Sequence, residues 1–572
     1  MIKRCLYLLV LWLYSTCSIA QERASKEILD SLLTTRGQAE VLIKYPGFSL
    51  LTEIGRNLSV SAVRDGMAVI VIAPGDRDYF LALDMPFYTG NRESVKAVVS
   101  ATTMDDAMNW DKYPSYQQYD SIVHKLASDF PSICRVDTIG ESIGGRLVLA
   151  LKISDNVNED EDEPEVFYSS TIHGDELVGY VLMLRLAEHI LVNSTNGLIE
   201  QMLVDSLEIF INPLANPDGT YYGGDTISNP SRFNLNGKDL NRNFPDPTLP
   251  LIVQEPENID MIRYMKDHQF VLSGNFHSGA EVLNFPWDKS DQWSNGYHAD
   301  SSWFFSVCKQ YVDTVHQYAV PGYLSDYYGN STYPGVVRGD DWYIITGSRQ
   351  DYVTYECQGR EVTFELDINK LTDASQLVYS WEYNFRSLLT YLSNAFLGIH
   401  GRVTDKDTGV PVAAKLFIPG HDRDSSHVYS DTHTGKIVRF LAPGTYTLLF
   451  TADGYLPELV EGVIVDEGQQ LWINVQMIKE DEPLDPGATA TIKIWPVPAT
   501  DHINIQIYKD FTGESEVSVI SSAGQKMITE TMEIFSKMPV QLDISNLAPG
   551  AYICRLRELR SGRTLSAPFI KR

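Results

Sequence analysis

Basic charge is what this 572-residue chain has least of: 46 Lys and Arg stand against 75 Asp and Glu, a formal net charge of -29. Without a basic excess it lacks the electrostatic footprint of a nucleic-acid binder. Acidity on this scale fits an exported protein kept soluble by its charge, or one that draws in cationic substrates. Cysteine is scarce too, six residues in all. Cys134, Cys308, Cys357 and Cys554, those beyond the first twenty residues, contain no Cys-x-x-Cys pair and make neither a zinc finger nor a disulfide scaffold; four allow three pairings, and the spacing selects none. Beyond the leader no run of eighteen apolar residues occurs, so no integral membrane span is expected. What the chain does have is a hydrophobic content of 44%, enough for several domains with their own cores.

The first twenty residues combine Lys3 and Arg4, an apolar run from Leu6 to Tyr14, and Ser18-Ile19-Ala20 before Gln21. That order marks residues 1–20 as a signal peptide cut after Ala20, with lipidation of Cys17 as the alternative. Residues 21–105 mix short strands such as Met67 to Ile72 with turns such as Ala73-Pro74-Gly75-Asp76 and carry no catalytic cluster. They form an accessory module or a pro-region over the site; both readings stay open. The next segment, 106–397, alternates helices and apolar strands. A helix is expected from Asp111 to Phe130, and the acidic run Asp155 to Glu165 is expected as a solvated hairpin loop between two strands.

The chemistry concentrates in this segment. Val166 to Ile172 is a β-branched and aromatic run that predicts a buried strand ending at His173; Gly174 permits a turn, and Glu176 opens an apolar-periodic helix through Ile190. Alone, His-x-x-Glu at a strand-to-helix corner is weak evidence. Phe270 to His277 repeats the arrangement, an apolar strand delivering a histidine at its end. Two histidines and one glutamate leave a coordination position open, which is a catalytic rather than a structural zinc set. Between them, Ser231 to Pro245 has neither helical nor strand period but holds Arg232, Arg242 and four asparagines, a composition suited to capturing a planar anion.

These residues resemble the zinc metallocarboxypeptidase family, and within it the branch that trims basic residues and carries a transthyretin-like domain. The resemblance spans about Tyr113 to Tyr391. It rests on His173-Gly174-Asp175-Glu176, Asn216-Pro217-Asp218-Gly219, Asp239-Leu240-Asn241-Arg242-Asn243-Phe244, His277, and Val362-Thr363-Phe364-Glu365-Leu366, in family order. It implies that His173, Glu176 and His277 hold one Zn2+, that Glu365 is the general base, and that Arg232 polarises the scissile carbonyl. It further implies that Asn241, Arg242 and Tyr343 hold the substrate's terminal carboxylate. Asp288, in Asn284-Phe285-Pro286-Trp287-Asp288, matches the acidic residue of the side-chain pocket, and Gln350 the glutamine of the basic-residue branch. Arg349 stands where that branch has methionine, and Gly339-Asp340-Asp341-Trp342 also departs from its pattern.

After a helix from about Asp373 to Leu397 the pattern becomes all-β. Residues 398–479 resemble the transthyretin-like domain, with His400, His421, His427 and His433 expected at its surface. Residues 480–490 read as a linker by composition. Residues 491–572 are similar to the type IX secretion sorting domain of Bacteroidetes, with a generic β-sandwich binding module as the alternative. The expected fold is therefore multidomain: an α/β catalytic domain, a mixed twisted sheet with helices on both faces, followed by two all-β sandwiches. The expected protein is a secreted or surface zinc exopeptidase that removes C-terminal Lys or Arg from peptides and proteins and meets the secretion machinery through its last domain. A cell-wall peptide hydrolase of the same fold and an inactive carboxypeptidase-like binding protein are the alternatives.

Overall fold

The computed structural model describes residues 23–64, 66–89, 98–289, 296–479, 491–508, 513–521, 524–535 and 538–572. The signal peptide expected at 1–20 and the linker expected at 480–490 lie outside the described residues. The chain divides into two compact units, the first reaching Phe396 and including Arg423–Ser426, the second holding the remainder from Leu397 onward.

The first unit begins with a small four-stranded sheet of β1 (Ala39–Lys44), β2 (Ser59–Arg64), β3 (Met67–Ile72) and β4 (Phe87–Thr89), in the order β2-β3-β1-β4. Strand β2 is thus at an edge, and its pairing with β3 slips by one residue between Val60 and Ala62, a bulge at Ser61. Helices Lys26–Arg36 and Phe48–Gly55 bury Leu29, Leu33, Leu51 and Ile54 against this sheet.

The main sheet has eight strands: β5 (Cys134–Glu141), β6 (Leu147–Ile153), β7 (Glu165–Ser170), β8 (Glu208–Asn212), β9 (Phe270–His277), β10 (Ala280–Phe285), β11 (Val336–Arg338) and β12 (Arg360–Asp367). Their order is β11-β10-β12-β9-β7-β8-β6-β5. The central four, β12, β9, β7 and β8, run parallel, and every residue of β7, β8 and β9 is buried. Sheets covered on both faces need such continuously apolar strands. Helices Val178–Asn193, Ser301–His316 and Ala374–Ser393 cover one face, where Tyr168 donates to Leu388 O (2.9 Å) and Tyr391 to Ser273 O (2.8 Å). Helices Pro256–Asp267 and Arg349–Glu356 cover the other, over Phe167, Phe210 and Phe270.

Two expectations are corrected here. The acidic run does not turn a hairpin, because β8 inserts between β6 and β7 and the two strands it joins are not neighbours. The corner strand also stops at Ser170 rather than at His173: Thr171 takes φ 63 and leaves the ladder, and the helix starts at Val178. The expected first helix runs from Tyr116 to Asp129, its start fixed by a Ser115/Gln118 capping box.

The second unit is all β. Strands between Gly398 and Met477 form two four-stranded sheets around one apolar core, and strands between Thr491 and Lys571 form a three- and a four-stranded sheet around another. His400, expected at the surface, is buried: its strand, Gly398–Asp405, is paired on both sides, and the ring lies beside Trp472 with Nε2 3.2 Å from Leu397 O. His421 and His427 are partly buried and His433 is exposed. All four described cysteines are free thiols.

The core prediction concerns Phe364, fully buried on β12 between the rings of Phe276 (4.8 Å) and Tyr391 (5.0 Å). Phe364→Ala should cost about 3–5 kcal/mol of unfolding free energy, read from the denaturant midpoint; a loss of under about 1 kcal/mol would mean the two faces of the sheet are not packed as described.

Candidate metal centre

Parallel strands carry ligands beyond their carboxyl ends, and β7 and β9 release His173, Glu176 and His277 there. Nδ1 of His173 lies 3.0 Å from Glu176 Oε2, Nδ1 of His277 lies 2.7 Å from the same oxygen, and the two Nδ1 atoms are 3.1 Å apart. All three residues are buried, and their ligand atoms lie within 4.8 Å of one another. Two imidazole nitrogens and one carboxylate oxygen crowded together without solvent are a donor set short of a cation, and their chemistry fits zinc.

The far side of each ring is also held. Asp239 Oδ1 sits 3.0 Å from Nε2 of His173, and the Asn275 amide lies 2.8 Å from Nε2 of His277. A carboxylate accepting Nε2–H fixes the tautomer that leaves Nδ1 as a ligand. Asp239 was quoted in the sequence motif without a role; nothing in its local pattern shows that it faces a histidine 66 positions away. Burial opposes ionisation of Asp239, but Arg232 and His173 hold its carboxyl well below the usual range. Burial lowers His277 to about 4, so its ring is neutral at physiological pH.

Glu365 is register-paired with His277 across β12 and β9, which puts its carboxylate beside the cluster; its Oε2 is buried without a hydrogen-bond partner. Burial, and then the charge of Glu176, pushes its carboxyl well above the usual range. Arg232 is buried and donates from Nη1 to Glu176 (2.8 Å) and from Nε to Asp239 (3.1 Å). Asn241 accepts from the Arg349 backbone N–H (2.9 Å), and Arg242 donates from Nη1 to Asn241 O (2.9 Å). Arg242 and Tyr343 also reach strand β2 of the small N-terminal sheet: Nη2 of Arg242 donates to Val60 O (2.8 Å) and the Tyr343 hydroxyl to Ser61 O (3.2 Å).

Asp288 and Gln350 meet: Gln350 Nε2 donates to Asp288 Oδ1 (2.9 Å), while its Oε1 accepts from Thr363 N (2.9 Å), two residues before Glu365 on the same face of β12. Burial raises Asp288 to about 6, against a Ser348 hydrogen bond and the charge of Arg242. Gly339 packs so closely that a Cβ there would come within 2.1 Å of Asp288 Oδ1, so the unusual Gly339 to Trp342 segment forms a wall beside the carboxylate. Arg349 turns away from Asp288 and pairs with buried Glu361 (3.1 Å), its guanidinium over the Phe167 ring.

Comparison with known proteins decides the family. A zinc carboxypeptidase family model matches residues 119–387. The catalytic chain of human carboxypeptidase N is 32% identical over 413 residues, covering 65% of this chain and 87% of that protein. The chain belongs to the zinc carboxypeptidase family. Mouse carboxypeptidase D is 33% identical over 354 residues, 60% of this chain, so the chain spans about a quarter of that larger relative (25%). A solved carboxypeptidase A from Helicoverpa armigera superposes with a TM-score of 0.48 at 19% identity, covering 63% of this chain and 97% of that one. A model for a secretion system C-terminal sorting domain matches residues 493–566, which marks this carboxypeptidase relative as a secreted or cell-surface protein. Among the described residues no helix is long and apolar enough to cross a membrane.

Asp239 gives the testable consequence. Asp239→Asn should lower zinc affinity by about 10–100-fold, read by competition with a chromogenic chelator; unchanged affinity would remove Asp239 from the support of His173.

Proposed function

We propose that the protein is a secreted zinc metallocarboxypeptidase that removes C-terminal Lys or Arg from peptides and proteins. The observation that carries this reading is the convergence of His173, Glu176 and His277 with Glu365 alongside, on a face that also presents Arg232, Asn241, Arg242 and Tyr343. His173 and His277 through Nδ1 and Glu176 through Oε2 would hold the ion. When bound, zinc acts as a Lewis acid and brings the pKa of a coordinated water to about 7.

Glu365 then has a defined task. Its carboxylate accepts a proton from the attacking water and returns it to the departing amine, one residue serving as base and then as acid. Its place beside the three proposed ligands, in register with His277, is what suits it to both transfers. Arg232, anchored through Nε and Nη1, offers its remaining N–H groups to the developing oxyanion, a contribution of roughly 3 kcal/mol by analogy with oxyanion-hole donors. Asn241, Arg242 and Tyr343 recognise the terminal carboxylate, which restricts cleavage to the last residue, since an internal peptide bond carries no such group. Asp288, oriented by Gln350, pairs with the cationic side chain of that residue; left unpaired in its buried position it disfavours apolar ones.

The domain reading belongs to the same proposal: 106–397 catalytic, 398–479 transthyretin-like, 491–572 a sorting domain that addresses the protein to the secretion machinery.

Glu365→Gln should keep one zinc per chain and lose turnover by a factor of about a thousand or more; substantial residual activity would refute the general-base role. For Asp288 the sign follows from its raised pKa of about 6: it is a carboxylate above that value and neutral below it. The ratio of kcat/KM for Lys-ended over Leu-ended peptides should therefore fall as pH drops from about 8 to about 5, and should be lost in Asp288→Gly at every pH. A flat ratio in the native protein would defeat the assignment of Asp288.

A further inference from the structure

Asp288 is held from two sides by consecutive residues of one helix. Gln350 bonds its side chain, and Asp351, the next residue, bonds its backbone: Asp351 Oδ1 accepts from the Asp288 N–H (2.9 Å) and Oδ2 from the Lys289 N–H (3.1 Å). The helix Arg349–Glu356 sets this carboxylate in its first turn, where the Ser348 hydroxyl accepts from the Asp351 N–H (3.3 Å) and the helix dipole favours a negative group. Two N–H groups on one carboxylate fix the backbone at two successive residues, and with it the direction in which the Asp288 side chain leaves the chain.

The turn fixed in this way carries a hazard. Lys289 follows Asp288 directly, and its ammonium is the same chemistry that Asp288 is proposed to recognise in a substrate. Lys289 is 1% exposed, so its charge needs a partner within the protein. That partner is Asp246: Nζ donates to Asp246 Oδ2 (3.3 Å) and to the Thr248 hydroxyl. Asp246 is itself braced, its Oδ1 accepting from the Thr248 backbone N–H (2.9 Å). The two side chains of the turn are thus directed to different partners, Asp288 to Gln350 and Lys289 to Asp246.

From this arrangement we infer that Asp351 is a positioning residue for selectivity: its carboxylate fixes the turn that presents Asp288 to the departing side chain and turns Lys289 away. The inference rests on the pocket role proposed above for Asp288. It assigns to a residue that touches no substrate atom a control over how tightly a cationic side chain is held. Without its carboxylate, the Asp288 and Lys289 N–H groups lose their acceptor and the turn loses its fixed direction. The loss falls on the binding of Lys and Arg rather than on the chemical step, because His277 and Glu365 are carried by β9 and β12 and not by this turn.

The test uses the zinc-loaded full chain and peptides that differ only in ending with Lys or Leu. Asp351→Ala removes both acceptors; the isosteric Asp351→Asn keeps one and guards against a folding defect in the first variant. KM for the Lys-ended peptide should rise by ~10-fold or more in Asp351→Ala and by a smaller factor in Asp351→Asn, at unchanged zinc content and with kcat altered less than about two-fold. The Lys-over-Leu ratio of kcat/KM should fall in step. In the native chain the Asp288 and Lys289 amides should resist hydrogen exchange equally with and without free arginine, because the clamp precedes the ligand. A ratio unchanged in both Asp351 variants but abolished in Asp288→Gly overturns the inference and leaves the proposed function standing. Loss of zinc, or an equal loss of turnover on both peptides, makes Asp351 a folding residue only and overturns the inference, as does rapid exchange of the two amides in the free chain. A ratio unchanged in Asp288→Gly as well sinks the proposed selectivity together with it.

Discussion

A single crowded point holds the molecule's logic together: one carboxylate oxygen of Glu176 within about hydrogen-bond distance of two imidazole nitrogens, sealed from water. Buried charge on this scale is expensive unless paired, and the surroundings can be read as the means of pairing it. Arg232 bonds the other Glu176 oxygen, Asp239 takes the far nitrogen of His173 while also meeting Arg232, and Glu365 is left with a raised proton affinity by its burial and then by the charge of Glu176. One divalent ion at the centre compensates a ring of groups that is otherwise poorly balanced. The parallel strands behind it are the rigid support such a cluster needs, since each donor leaves the sheet within a few residues of a hydrogen-bonded ladder.

The surroundings of Asp288 are tied to the same strand. Gln350 on its helix touches both Asp288 and the backbone of β12 two residues before Glu365, so Asp288 and β12 are joined through one amide. Arg349, which stands where the basic-residue branch has methionine, turns away from Asp288. Its backbone N–H donates to Asn241, and its guanidinium pairs with Glu361 rather than with Asp288.

Much of this was legible before any coordinates. Apolar strands leading to His173 and His277, an amide- and guanidinium-rich loop between them, and a glutamate in a later strand form a pattern whose chemistry points to one ion. Errors arose where local pattern and tertiary pairing part company. An acidic run between two strands reads as a hairpin, but only pairing shows that β8 lies between them. His400 reads as a surface histidine in a short strand, yet that strand is flanked on both sides and buries the ring. Asp239 and Asn275 were visible as residues and invisible as supports.

By itself the sequence determined the donors, their order and the strand ends from which they project, because each is set by short-range periodicity and turn chemistry within a few residues. Tertiary structure alone decided which ring nitrogens converge, that Asp239 backs His173, and that Ser59, Val60 and Ser61 bond Arg232, Arg242 and Tyr343. Ser59 and Asp239 are 180 positions apart, and no repeat or composition records a contact over that distance. Only the packing of one sheet edge against another fixes it.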